Sequence, residues 1–159
     1  MTDQAALARH VLELARARGW MIATAESCTG GLVAAALTDI PGSSDVFDRG
    51  FLTYSYPAKE AMLGVDHDTL HDNGAVSEPV ARQMAEGARA RSDAQLTVAI
   101  TGVAGPGGSD DKPEGLVHFA TSTASTTVHR EVRFGPLGRA NVRFESVRVA
   151  LEMLRKALA

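Results

Sequence analysis

Two short apolar runs limit what this chain can become. "WMIATA" (residues 20–25) and "LTVAITG" (96–102) are each bounded by turn residues and are too short for a buried helix. Runs of this kind read as strands covered on both faces, which places them inside a parallel or mixed sheet. A sheet of that type needs helices on both sides.

The rest of the sequence supplies them. Residues 3–18 carry Leu7, Val11, Leu14 and Ala15 at helical spacing, with Thr2 or Asp3 to cap the start and Gly19 to stop it. An alanine-rich helix is predicted over about 29–38, followed by the loop "IPGSS". "DVFDRGFLTYSY" (45–56) is rich in aromatic and β-branched residues and reads as a strand; Pro57 then opens a helix that Gly64 ends. "DHDTLHDNG" reads as a short helical piece with an exposed turn. Ser77 starts a further helix running to about Arg91, with Pro79 in its first turn. "LVHFATS" and "TVHREVRF" are predicted to form an antiparallel pair joined through "TAST". A last helix covers about 138–158, with Phe144, Val147, Leu151, Leu154 and Leu158 on its core face. The expected fold is one three-layer α/β/α domain over residues 1–159, with a mixed, largely parallel sheet and helices on both faces.

Composition narrows the function classes. The 159 residues are 45% hydrophobic and 22% charged, an ordinary globular mixture, and the net charge is -3. That balance argues against non-specific nucleic-acid binding, and the arginines at 130, 133, 139, 143 and 148 read mostly as solvated faces. No stretch has a signal-peptide core or transmembrane length, so no membrane partner and a cytoplasmic setting are expected. The single cysteine, Cys28, excludes an internal disulfide and fits a reducing compartment.

Chemistry is expected at the carboxyl ends of the strands, where open α/β sheets bind ligands. "TAESCTGG" (24–31) follows the first run and "TGVAGPGG" (101–108) follows the second. Ser27 has two readings. It can cap the next helix, or it can be a nucleophile beside free N–H groups that stabilise an oxyanion. A serine nucleophile needs a base. The five histidines have no evident partner and read as structural or surface residues; S-x-x-K and G-x-S-x-G patterns are absent. Three lysines remain: Lys59, Lys112 and Lys156. Lys59 falls in the first turn of a helix, where the dipole disfavours its charge, although an isolated lysine ordinarily lies on the surface. Tyr54 and Tyr56, two apart on the predicted strand, would point the same way. "TGVAGPGG" is neither a Walker A loop nor a dinucleotide fingerprint. His67 and His71 are four apart but lack a third ligand in sequence, so no metal and no cofactor are expected.

Together, "AESCTGGLVAAALTDIPGSSDVFDRGFLTYSYPAKEAMLGV", "GAVSEPVARQMAEGAR" and "AITGVAGPGG…KPEGLVHFA" resemble the CinA carboxy-terminal domain family, over residues 5–155. Its enzymes include nicotinamide-nucleotide amidases. The resemblance implies hydrolysis of the carboxamide of nicotinamide mononucleotide to nicotinic acid mononucleotide and ammonia, without a metal and often in a dimer. It implies Ser27 as nucleophile, Lys59 as its base and Tyr54 beside them. Tyr56 departs from the asparagine-like residue expected there. Glu26, Cys28, Thr29, Gly30 and Gly31, with Thr101, Gly102 and Gly105, are the candidate substrate-binding residues. Arg139 and Arg143, four apart, are candidates for the phosphate or for plain solvation of a helix face. The competing functions are a non-catalytic nucleotide-binding or scaffold domain, and an amidase for a different small amide.

Overall fold

The computed structural model describes residues 2–159. In chain order the elements are α1 (Asp3–Arg18), β1 (Ile22–Glu26), α2 (Leu32–Thr38), a 3-10 turn (Ser43–Asp45), β2 (Phe47–Leu52), α3 (Tyr56–Leu63), α4 (His67–Asn73), α5 (Glu78–Ala90), β3 (Leu96–Gly102), β4 (Leu116–Ser122), β5 (Thr127–Arg133) and α6 (Arg139–Leu158). Local chemistry sets several of these boundaries. Thr2 Oγ1 accepts the Ala5 N–H at the start of α1, and Gly19 closes it in the left-handed conformation. Ser55 caps α3, Pro57 sits in its first turn, and Gly64 ends it.

The five strands lie in the order β2-β1-β3-β4-β5. β1 pairs in parallel with β2 and β3, while β4 is antiparallel to both β3 and β5. Four strands therefore run one way and β4 alone runs against them. From β1 the chain crosses one face through α2 to β2. It returns over the other face through α3, α4 and α5 to β3. The two crossings cover opposite faces and end on opposite sides of β1, which opens a crevice at the carboxyl ends of β1 and β3.

Two cores flank the sheet. On one side α1, α2 and α6 pack with Ile22, Val98, Ile100, Val117 and Phe119. Leu151 and Leu154 of α6 are fully buried there, each worth roughly 2 kcal/mol by transfer from water. On the other side α3, α4 and α5 pack against Ala25, Ala99 and Ala120. These small side chains let α5 sit close to the sheet. α5 also sits close to α3, because a Cβ on Gly87 would collide with the Leu63 carbonyl. Glycine inside a helix costs about 1 kcal/mol against alanine, and here it permits that contact.

Some expectations shift. α2 begins at Leu32 rather than near residue 29, since residues 27–31 form a turn with Gly31 at φ 98°. β2 stops at Leu52, and Tyr56 is the first residue of α3, so Tyr54 and Tyr56 do not share a strand face. Phe144 is 56% exposed, because it lies on the side of α6 opposite buried Val142. No helix among the described residues is long and apolar enough to cross a membrane.

Candidate active site

The turn after β1 removes the capping reading of Ser27. Its N–H donates to the Ile100 carbonyl of β3, which holds the turn at the crevice. Glu26, not Ser27, caps α2. Its buried carboxylate accepts from Thr29 Oγ1 at 2.7 Å, Gly31 N–H at 3.2 Å, and Val33 and Ala34 N–H at 2.9 Å each. Four donors around one buried carboxylate satisfy the orphan end of the helix and compensate the charge. Glu26, expected among the substrate-binding residues, is therefore committed to the scaffold. Ser27 Oγ is released from any capping duty.

Lys59 meets it. Lys59 is 1% exposed, against the surface position an isolated lysine usually takes. Its Nζ lies 2.9 Å from Ser27 Oγ, 2.7 Å from the Thr53 carbonyl and 3.2 Å from the Tyr54 carbonyl. Among the described residues no carboxylate pairs with it. Burial without a counter-ion pulls its pKa down from 10.5 to about 8. The dipole argument pointed the right way, but desolvation is the dominant cause. As a neutral amine, Lys59 has two N–H donors for the two carbonyls and one lone pair for the Ser27 hydroxyl proton. The geometry thus suits the state that a base requires.

The remaining candidates divide. Tyr54 is 60% exposed on the rim, and its hydroxyl accepts from Arg139 at 3.1 Å. Arg139 also donates to the Gly105 carbonyl at 2.8 Å, so it bridges the tyrosine to the glycine-rich loop. Thr101, at the end of β3, donates to the Ala75 carbonyl at 2.9 Å. Arg143 goes elsewhere. It donates to the Cys28 and Thr29 carbonyls at 3.1 and 3.4 Å, pinning the turn from behind. Neither arginine merely solvates its helix face, and the two do not form one anion clamp. Gly30 N–H is taken by the Ser27 carbonyl, while the Cys28 and Thr29 N–H groups donate to no other described residue. Burial pushes the Cys28 thiol up to about 12, so it stays protonated and offers no rival nucleophile.

A cleft of about 160 Å³ is lined by Ser27, Cys28, Tyr54, Lys59, Thr101, Gly102 and Arg139. It adjoins a second of about 240 Å³ along Gly105, Gly107 and Gly108, with Tyr54, Gly102 and Arg139 common to both. A larger cavity of about 560 Å³ lies beyond Ala75 and Val76; His71, Ser109 and Lys112 line it, but no hydrogen bond among the described residues joins the Ser109 hydroxyl to either base. Three features had escaped the sequence. The carbonyls of Thr53 and Tyr54 leave no side-chain signature. Ala75 and Val76 line the cleft from the start of the family segment "GAVSEP", but their small apolar side chains carry no chemical signal. Glu114 accepts from Gly107 N–H at 2.6 Å and Gly138 N–H at 3.2 Å, tying the glycine-rich loop to the start of α6.

The model of the CinA C-terminal domain matches residues 4–158. The chain belongs to this family. It is 47% identical over 159 residues to a CinA-like protein of Prochlorococcus marinus (strain MIT 9313), covering 99% of this chain but 37% of that protein. The chain thus spans little more than a third of the first curated relatives it matches. A shorter CinA relative, the nicotinamide-nucleotide amidohydrolase PncC of Escherichia coli (strain K12), is 54% identical over 119 residues, 74% of this chain and 72% of that one. The crystal structure of the competence/damage inducible protein CihA from Agrobacterium tumefaciens superposes with a TM-score of 0.95 at 53% identity, covering 99% of this chain and 96% of the other.

Proposed function

We propose that this chain is an amidohydrolase that converts nicotinamide mononucleotide to nicotinic acid mononucleotide and ammonia, as the name of the Escherichia coli relative suggests. The observation that carries the reading is the buried, counter-ion-free Lys59 amine at 2.9 Å from Ser27 Oγ. In the proposed reaction Lys59 takes the Ser27 hydroxyl proton as Oγ attacks the carboxamide carbon. The Cys28 and Thr29 N–H groups receive the oxyanion. Lys59 then returns the proton to the departing nitrogen, which leaves as ammonia. Water, deprotonated by the same amine, attacks the resulting ester and frees Ser27 and the new acid.

In this reading Thr101, Gly102 and Gly105 line the nucleotide's path and Arg139 meets its phosphate, which its exposure on the rim of both clefts supports. The substrate is a small molecule that needs neither nucleic acid nor membrane. The wider reading takes residues 1–159 as one catalytic domain in a cytoplasmic homodimer. The free, protonated Cys28 suits that setting, and a sizing column with light scattering tests the dimer.

Ammonia release from nicotinamide mononucleotide is the direct test. Wild type is expected to be active, and Ser27→Ala and Lys59→Ala to lose at least about a thousandfold. Activity surviving Ser27→Ala would remove the nucleophile. An inactive wild type would favour a scaffold, or an amidase for another small amide.

A further inference from the structure

We propose that Glu60, His67 and His71 form a binding site for a divalent transition-metal ion that ties α4 to α3. The sequence offered two histidines and no third ligand; the fold brings in Glu60 from the preceding helix. His67 and His71 stand one turn apart on α4, so both rings leave the same side. Their centroids are 4.2 Å apart. Glu60 faces them both, with Oε1 2.8 Å from His67 Nδ1 and Oε2 3.7 Å from His71 Nε2. One ligand atom from each residue lies within 4.8 Å of the other two. Ligands of a tetrahedral zinc ion sit about 3.3 Å apart, from metal–nitrogen bonds of about 2 Å. Closure therefore asks for at most about 1.5 Å of movement by side chains that are partly or largely exposed.

The donor set selects the ion. Two imidazole nitrogens and one carboxylate suit zinc, nickel or copper, whereas magnesium and calcium favour oxygen ligands throughout. The histidine side chains are 66% and 47% exposed, so water can complete the coordination. The surroundings hold the ligands in place. The His71 ring meets Tyr56 edge-on at 5.3 Å, and the Tyr56 hydroxyl accepts the Ala75 N–H at the wall of the cleft. Asp66 turns its Oδ2 to the Thr69 N–H and hydroxyl and lies outside the group formed by Glu60, His67 and His71. Glu60 follows Lys59 directly, so a bound ion would brace the helix that carries the buried amine. This inference does not depend on the proposed reaction.

The test is calorimetric titration of zinc into the chelator-treated full chain, compared with His67→Ala and Glu60→Gln, both partly or largely exposed positions that should leave the fold intact. The expected result is one zinc per chain, weakened at least about tenfold in each variant, with no heat from millimolar magnesium. Zinc should also raise the melting temperature of wild type more than that of His67→Ala. A wild type without saturable zinc binding overturns the site. Binding of equal strength in both variants places the metal elsewhere and overturns it as well.

Discussion

Lys59 Nζ stands 2.9 Å from Ser27 Oγ and is held there by two main-chain carbonyls rather than by an acid. The amine's low pKa then fixes the sign of the pH dependence. With its pKa near 8, Lys59 is mostly protonated at pH 7 and mostly neutral above pH 8. Initial rates at low substrate should rise with pH through about 8 and level off. Lys59→Arg, which keeps its charge at every accessible pH, should abolish the rise together with the activity.

The same burial makes stability depend on pH. Lys59 has its pKa lowered from 10.5 to about 8, so between these values the unfolded chain holds the extra proton and stability increases with pH. Cys28 has its pKa raised from 9.0 to about 12, so between those values the folded chain holds the extra proton and stability falls. The two overlap. The unfolding free energy from denaturant titration should therefore rise from pH 8 to 9, by about 1 kcal/mol from Lys59 alone. It should stay level to about 10.5 and decline beyond. Lys59→Met should lack the first rise.

Glu26 serves the scaffold, so its loss should appear as instability. Glu26→Ala strips four donors of their buried acceptor and should cost about 3 kcal/mol or more in urea unfolding. Glu26→Gln keeps the shape and should cost less.

Gly87 is the seat of α3 on α5. A methyl group there meets the Leu63 carbonyl, and Gly87→Ala should cost about 1–3 kcal/mol despite its better helix propensity. Because α3 carries Lys59, activity measured well below the melting temperature should fall too.

The two arginines should separate in kinetics. Arg139→Ala opens the rim and should raise KM more than it lowers kcat. Arg143→Ala frees the carbonyls of the turn that carries Ser27 and should lower kcat instead.

Much of this was legible in the sequence because it is written in short-range chemistry. Thr2, Gly19, Pro57 and Gly64 mark helix ends by capping, first-turn proline and left-handed turns, and the structure agrees at each. The alternation of strands and helices by itself puts Ser27 and Thr101 at strand ends. What escaped depends on contacts between distant segments. Nothing in the sequence says that Glu26 folds forward onto α2, that Arg143 reaches back 115 residues to Cys28, or that Glu60 faces two histidines. Tyr54 and Tyr56 were misassigned to one strand because their β propensity outweighed Ser55, which caps a helix instead.

The holders of Lys59 also bear on how such a site tolerates drift. Substitution at Thr53 or Tyr54 changes a side chain but leaves its carbonyl where it was. Mutation at these two positions therefore does little to retune the amine. The exposed weakness is spacing: one residue gained or lost between Thr53 and Lys59, six positions apart, would carry the amine away from both oxygens at once. The site is robust to spelling and fragile to length.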